Sequence, residues 1–226
     1  MKGIIYTVIT GAYDLVESPE RVDGWHYVLV VDQITPIRPF VLEEFDTIIR
    51  LVVFEVEAPM VQRWWKIFGY LYIPAIIGNL QRVPIIYHDG KLHTKADPTP
   101  LADLLTAETE LVIRKHPSRS CIYQEAEACM QLNKIEEWQI RHQLPKYRNE
   151  WLVPGNAGLV DTSVLVRWAP TTFQYTRAFY QKWWQELRTY PHHRDQLSFN
   201  AVLWAHPMRI RYFTEYNHVF HKQNHR

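Results

Sequence analysis

Several residue types and motifs that mark large functional classes are scarce or missing here. The 226 residues include two cysteines, Cys121 and Cys129. They lie eight residues apart in a stretch that reads as helix, which would separate them by about 12 Å. A disulfide needs Cα atoms within about 7 Å. Both are therefore expected as free, buried thiols in a reducing compartment. Glycine is sparse, and no G-x-x-x-x-G-K-[ST] occurs, which argues against a P-loop kinase or ATPase. G-x-S-x-G, H-E-x-x-H and paired C-x-x-C are also missing. Their absence argues against an α/β-hydrolase and leaves a zinc site unsupported. No apolar run reaches about 18 residues, so no transmembrane helix is expected. The opening apolar run is too short for a signal peptide, and a cytoplasmic location is expected. The net charge is only +1, which gives no general electrostatic grip on nucleic acid.

What remains is a chain able to bury a core. Hydrophobic residues make up 47% and charged residues 22%, the balance of a folded domain. One domain over 1–226 is expected, with a polar, His-rich tail at about 217–226. Apolar, β-branched runs predict strands over 3–9, 26–31, 48–56, 83–87, 110–115, 159–167 and 208–213. Helical spacing predicts helices from 60, over 98–105, a long one over 120–141, and two more over 171–187 and 195–204. Strands alternating with helices predict an α/β fold with a mainly parallel sheet flanked by helices. Such sheets bind ligands at the carboxyl ends of their strands. The ends to watch are Thr10-Gly11, Asp32 and His88-Asp89-Gly90.

Three clusters could carry chemistry. Asp89 and Lys91 follow a buried strand; they suit a diphosphate, through a metal on Asp89 or through Lys91 itself. An ordinary Asp-Gly turn would look the same. Arg194-Asp195-Gln196 stands at a helix start, where Asp195 is either an N-cap or a carboxylate facing a ligand. Arg114, Lys115, His116 and Arg119 form a basic loop, either a phosphate cradle or a solvated surface. Arg63 and Lys66 share one face of a helix. His218 and His221 would share a face if the tail were helical.

Taken in order, these segments resemble a known family. Tyr6-Thr-Val-Ile-Thr-Gly-Ala-Tyr-Asp14 resembles the opening of a family described as glycosyltransferase-like, with plant cell-wall and mucilage proteins and bacterial or viral relatives. Arg63-Trp-Trp-Lys66 resembles its R-x-x-K helix. Tyr87-His-Asp-Gly-Lys-Leu92 resembles its W-x-D-G-K-L block, with Tyr87 in the Trp position. His116-Pro-Ser-Arg-Ser-Cys-Ile-Tyr-Gln-Glu-Ala126, Gly158 to Arg167 and Arg194-Asp-Gln-Leu-Ser-Phe199 resemble three further blocks. The resemblance spans residues 4–204.

That family is similar to GT-A glycosyltransferases, especially family 8. The resemblance implies a GT-A-like nucleotide-diphospho-sugar transferase fold with a central mixed, mainly parallel sheet. It implies transfer of a sugar, hexosyl in type, from a nucleoside diphosphate sugar to a hydroxyl of a glycan, lipid or protein, with retention favoured over inversion. It places Thr7, Gly11, Tyr13 and Asp14 at the nucleoside. Arg63, Lys66, Lys91, His116, Arg119 and Arg194 would serve the diphosphate sugar. Asp195 and Gln196 would lie beside the sugar, and Asp195 or Asp161 would be the base if the reaction inverts. Asp89 takes the first position of the family 8 D-x-D metal motif, but Lys91 takes the second. Either Mn²⁺ or Mg²⁺ is held by Asp89 with His218 or His221, or Lys91 replaces the metal's charge. A non-catalytic sugar- or nucleotide-binding module, a sugar-nucleotide hydrolase and a nucleotidyltransferase are the alternatives.

Overall fold

A computed structural model describes residues 1–78, 80, 82–169, 174–215 and 218–222. Its strands are β1 (Gly3–Ile9), β2 (Trp25–Asp32), β3 (Thr47–Leu51), β4 (Pro84–Asp89), β5 (Leu92–Thr94), β6 (Leu111–Lys115), β7 (Val160–Trp168), β8 (Ile210–Phe213) and β9 (Phe220–Lys222). The helices are α1 (Pro39–Leu42), α2 (Ala58–Ile77), α3 (Thr99–Ala102), α4 (Ile122–Gln131), α5 (Glu137–Ile140), α6 (Gln143–Pro145), α7 (Gln174–Thr189) and α8 (Asp195–Ala205).

Seven strands form one sheet in the order β3-β2-β1-β4-β7-β6-β8. Only β7 runs against the others. The sheet is thus mixed and mainly parallel, as expected. β1 and most of β2 and β4 are buried, which explains their continuous apolar runs: helices and loops cover both faces. On one face α2, α7 and α8 bury Tyr6, Ile67, Tyr87, Trp183 and Phe199. On the other, Ile5, Tyr27, Ile86, Leu101 and Phe220 form a second cluster. The chain runs from β1 to one side and later returns to the other with β4. The carboxyl ends of β1 and β4 therefore flank a topological switch point, where α/β sheets open a crevice for ligands.

Three expectations need correction. The helix expected over 120–141 stops at Gln131. Asn133 adopts φ 52°, its N–H reaches the Met130 carbonyl, and the Lys134 N–H reaches that of Cys129. These paired bonds close the helix as a Schellman motif, with Asn in the left-handed position. The third strand ends at Leu51 rather than 56, because the Gln33 side chain takes over the backbone N–H and C=O of Val53 (2.9 and 2.7 Å). Val52, Phe54 and Val56 are left exposed. Residues 92–94, to which the sequence pattern assigned no element, form β5. The tail is not helical at His218 and His221: Phe220–Lys222 is a strand, paired antiparallel with β5. The helix expected from 171 is described from Gln174, and 170–173 lie outside the described residues. Cys121 and Cys129 are free and buried, as expected.

Candidate functional site

At the switch point one lysine joins two strand ends and a helix start. Along β4 the period of two sets Ile85, Tyr87 and Asp89 on the face covered by α2. Lys66, on α2, reaches the same place. Its Nζ lies 3.0 Å from Asp89 Oδ1 and 2.5 Å from Asp195 Oδ2, at the start of α8. Thr162 of β7 lies 3.3 Å from both Lys66 Nζ and Asp195 Oδ2. The Tyr87 hydroxyl donates to Asp89 Oδ1 at 2.9 Å. Lys91 Nζ stands 3.7 Å from the other oxygen of Asp89.

The Lys66 side chain is only 4% exposed, whereas Asp195, Asp89 and Lys91 are 17%, 20% and 32% exposed. The lysine is the floor of the cluster and the others are its rim. Burial alone would raise the Asp195 carboxyl. Lys66, then Arg63, hold it well below the usual carboxylate range instead. Burial, then the neighbouring Asp89, push the Tyr87 hydroxyl well above its ordinary value, so it stays a donor. Asp195 Oδ1 accepts from the Gln196 N–H at 3.0 Å. The Gln196 side-chain nitrogen is buried with no hydrogen-bond partner among the described residues.

Buried bonds lock Lys66 in place. The Tyr6 hydroxyl donates to the carbonyls of Trp65 and Lys66, each at 3.2 Å. Arg167, 1% exposed, donates to Tyr6 Oη at 2.7 Å and to the carbonyls of Lys66 and Ile67 at 2.9 Å. Its guanidinium also faces the rings of Tyr70 and Tyr180. Sequence reasoning assigned no role to Arg167, Thr162 or Tyr87. The signal for the first two was their place in the Gly158 to Arg167 block.

The other expected residues divide into two groups. Gly11 and Ala12 are both left-handed (φ 69° and 53°) at the end of β1. Their N–H groups donate to Asp32 Oδ2 and Thr35 Oγ1 at 2.6 and 3.1 Å, fixing the loop that carries Tyr13, which is 81% exposed. The Asp14 carboxylate lies against Gly90, between Asp89 and Lys91. Arg63 donates to the His193 carbonyl at 2.8 Å, just ahead of Asp195. Burial would lower Arg194, but Cys129 and then Asp195 raise it above its ordinary value. Thr7 is committed elsewhere: its hydroxyl donates to the His88 carbonyl at 3.0 Å. His116 and Arg119 form a network of their own with buried Glu125, Arg119 Nε lying 2.6 Å from it. Asp161 faces Arg114 at 3.5 Å and accepts the Ser163 N–H. His218 lies 3.8 Å from Glu215, and His221 pairs across the ribbon with His93. A groove of about 550 Å³ lined by Phe179, Lys182, His206 and Arg209 includes none of the expected site residues.

Comparison with known proteins bears on the family and the fold. The sequence matches the family described as "TOD1/MUCI70, glycosyltransferase-like domain" over residues 83–225. No curated protein sequence matches the chain. Among solved structures, it is similar to the galactosyltransferase LgtC in complex with donor and acceptor sugar analogues. The identity is 10% and the TM-score 0.51, over 92% of this chain and 72% of that one. It is similar to the WbbM bifunctional glycosyltransferase, with 9% identity and a TM-score of 0.50, over 93% of this chain and 38% of that one. Mouse xyloside xylosyltransferase 1 in its apo form is 15% identical with a TM-score of 0.44, over 94% of this chain and 85% of that one. The fold is that of GT-A glycosyltransferases.

Proposed function

Because the chain belongs to the TOD1/MUCI70 glycosyltransferase-like domain family, we propose that the Lys66 cluster transfers a hexosyl group from a nucleoside diphosphate sugar to an acceptor hydroxyl. The supporting observation is Lys66 bridging Asp89 and Asp195 at the switch point. Sugar transfer separates charge: the anomeric carbon becomes positive and the departing diphosphate gains negative charge. Asp195, kept ionised by Lys66 and Arg63, suits the positive side. The Gln196 side-chain nitrogen, without a partner among the described residues, is a donor for a sugar hydroxyl. Tyr13, Gly11 and Asp14 form the rim on which the nucleoside would lie, and Thr7, tied to the His88 carbonyl, is not assigned contact with it.

The reading gives His116 and Arg119 a bracing role around Glu125 rather than contact with the donor. Asp161 is engaged by Arg114 and the Ser163 N–H, so it is not assigned as base. The resemblance of Asp195-Gln196 to the family 8 D-Q motif favours retention. The acceptor is a glycan, lipid or protein hydroxyl.

Asp195→Asn is expected to lower turnover by about 10²–10⁴ while donor affinity stays within a few fold. Steady-state kinetics and donor titration on the purified protein check this, and unchanged turnover would remove Asp195 from the reaction. Free sugar released without acceptor would instead identify a hydrolase. Donor binding with no turnover across an acceptor panel would identify a binding module.

A further inference from the structure

The D-x-D resemblance calls for a divalent cation, and the residues present do not make a site for one. Mg²⁺ and Mn²⁺ are held by several oxygen or imidazole ligands in close, regular geometry. Asp89 Oδ1 already faces two donors, Lys66 Nζ and the Tyr87 hydroxyl, and Oδ2 faces Lys91. Asp195 Oδ2 faces Lys66 and Thr162, and Oδ1 takes its own helix N–H. Among the described residues no group of three or more His, Cys, Asp and Glu side chains can hold a metal. A cation at Asp89 would also sit beside two ammonium groups.

We propose that the donor diphosphate is held by Lys91, beside the two carboxylates that Lys66 bridges, with no divalent cation in the site. This rests on the glycosyltransferase reading and specifies how its leaving group is stabilised. Lys66, with Arg63 near Asp195, offsets part of the repulsion that Asp89 and Asp195 would exert on a phosphate. Lys91, on the accessible rim beside Asp89, presents an ammonium where the motif would present a second carboxylate. A lysine binds phosphate as a point charge with three donors, so it can follow the diphosphate as charge builds up on it.

The test uses inorganic pyrophosphate and a panel of UDP-, GDP- and dTDP-sugars, each titrated calorimetrically in EDTA and in Mn²⁺. Mn²⁺ alone is followed by the paramagnetic signal of the free ion. The expected result is pyrophosphate binding in EDTA, and an unchanged free-ion signal when Mn²⁺ is added to the protein alone. Lys91→Ala, at a partly exposed position, should weaken pyrophosphate by about tenfold or more. Three results would overturn the proposal: pyrophosphate binding absent in EDTA, Lys91→Ala without effect, or Mn²⁺ uptake abolished by Asp89→Asn. A nucleotide sugar that binds only with Mn²⁺ sinks the lysine site and leaves the glycosyltransferase reading standing. A panel with no binding in either buffer sinks that reading as well.

Discussion

A lysine buried as deeply as Lys66 needs counter-charge within contact distance, and Asp89 and Asp195 supply it. Asp195 is not the N-cap of α8, which is Arg194, but its first residue, and its carboxylate is turned to these contacts. Its Oδ1 takes the Gln196 N–H in the first turn of α8, while Oδ2 is turned to Lys66. Beside this pair, Gly90 is set by a close approach. A Cβ there would lie 2.8 Å from Asp14 Oδ2 and 3.0 Å from Ile9 Cγ1. Gly90→Ala is therefore expected to cost about 1–3 kcal/mol and to displace Asp14 from the rim. Urea unfolding would measure the first effect and donor titration the second. The Asp-Gly pair was legible as a candidate. That the glycine is needed to admit a third carboxylate was not, because Asp14 is far away in sequence.

At the scale of elements, placement depends on irregularities more than on propensity. In β7, Leu165 pairs with Ile113 and Asp161 with Arg114, so three residues of β7 bulge opposite a single step of β6. Counting in twos from Leu165 would put Asp161 beside Lys66. The bulge turns Thr162 there instead and sends Asp161 to Arg114. The resemblance named Asp161 as a base for an inverting reaction, and the bulge is why Thr162 stands at Lys66 in its place. The end of α4 is a second such point. Ile122, Ala126 and Cys129 pack against Leu197 and Ala201 of α8, and the chain must then turn away at Asn133. Asn133→Gly should keep or raise stability, because glycine adopts φ 52° without strain. Asn133→Val should lower it by about 1–2 kcal/mol. Equal unfolding midpoints for the two variants would contradict the Schellman assignment.

At the scale of the whole molecule, buried histidines set the response to acid. His192 accepts the Arg194 N–H on Nδ1 and meets Gln143 Oε1 with Nε2, so the neutral ring satisfies both partners. Burial, then Arg194, lower it from an ordinary 6.5 to about 4. Burial does the same to His88, also to about 4. Between pH 6.5 and 4 the unfolded chain takes up protons that the folded one refuses. Stability therefore falls as pH falls through that window. For His192, part of whose ring water reaches, the loss is about 1–2 kcal/mol. Denaturation at pH 7 and pH 5 should show the drop, and His192→Phe should reduce it to the share of His88; an unchanged slope would mean that the His192 ring is not held neutral. From sequence alone the chain determined its α/β class, most strand positions, and the three segments that meet at the site. Local periodicity encodes strands and helices, and the resemblance supplied motif order. Only the tertiary structure decided that Lys66 stands between Asp89 and Asp195, with Lys91 beside Asp89. Residues 23 and 129 positions apart come within hydrogen-bond reach only once β4 is seated beside β1 and α2 and α8 have packed over the same face.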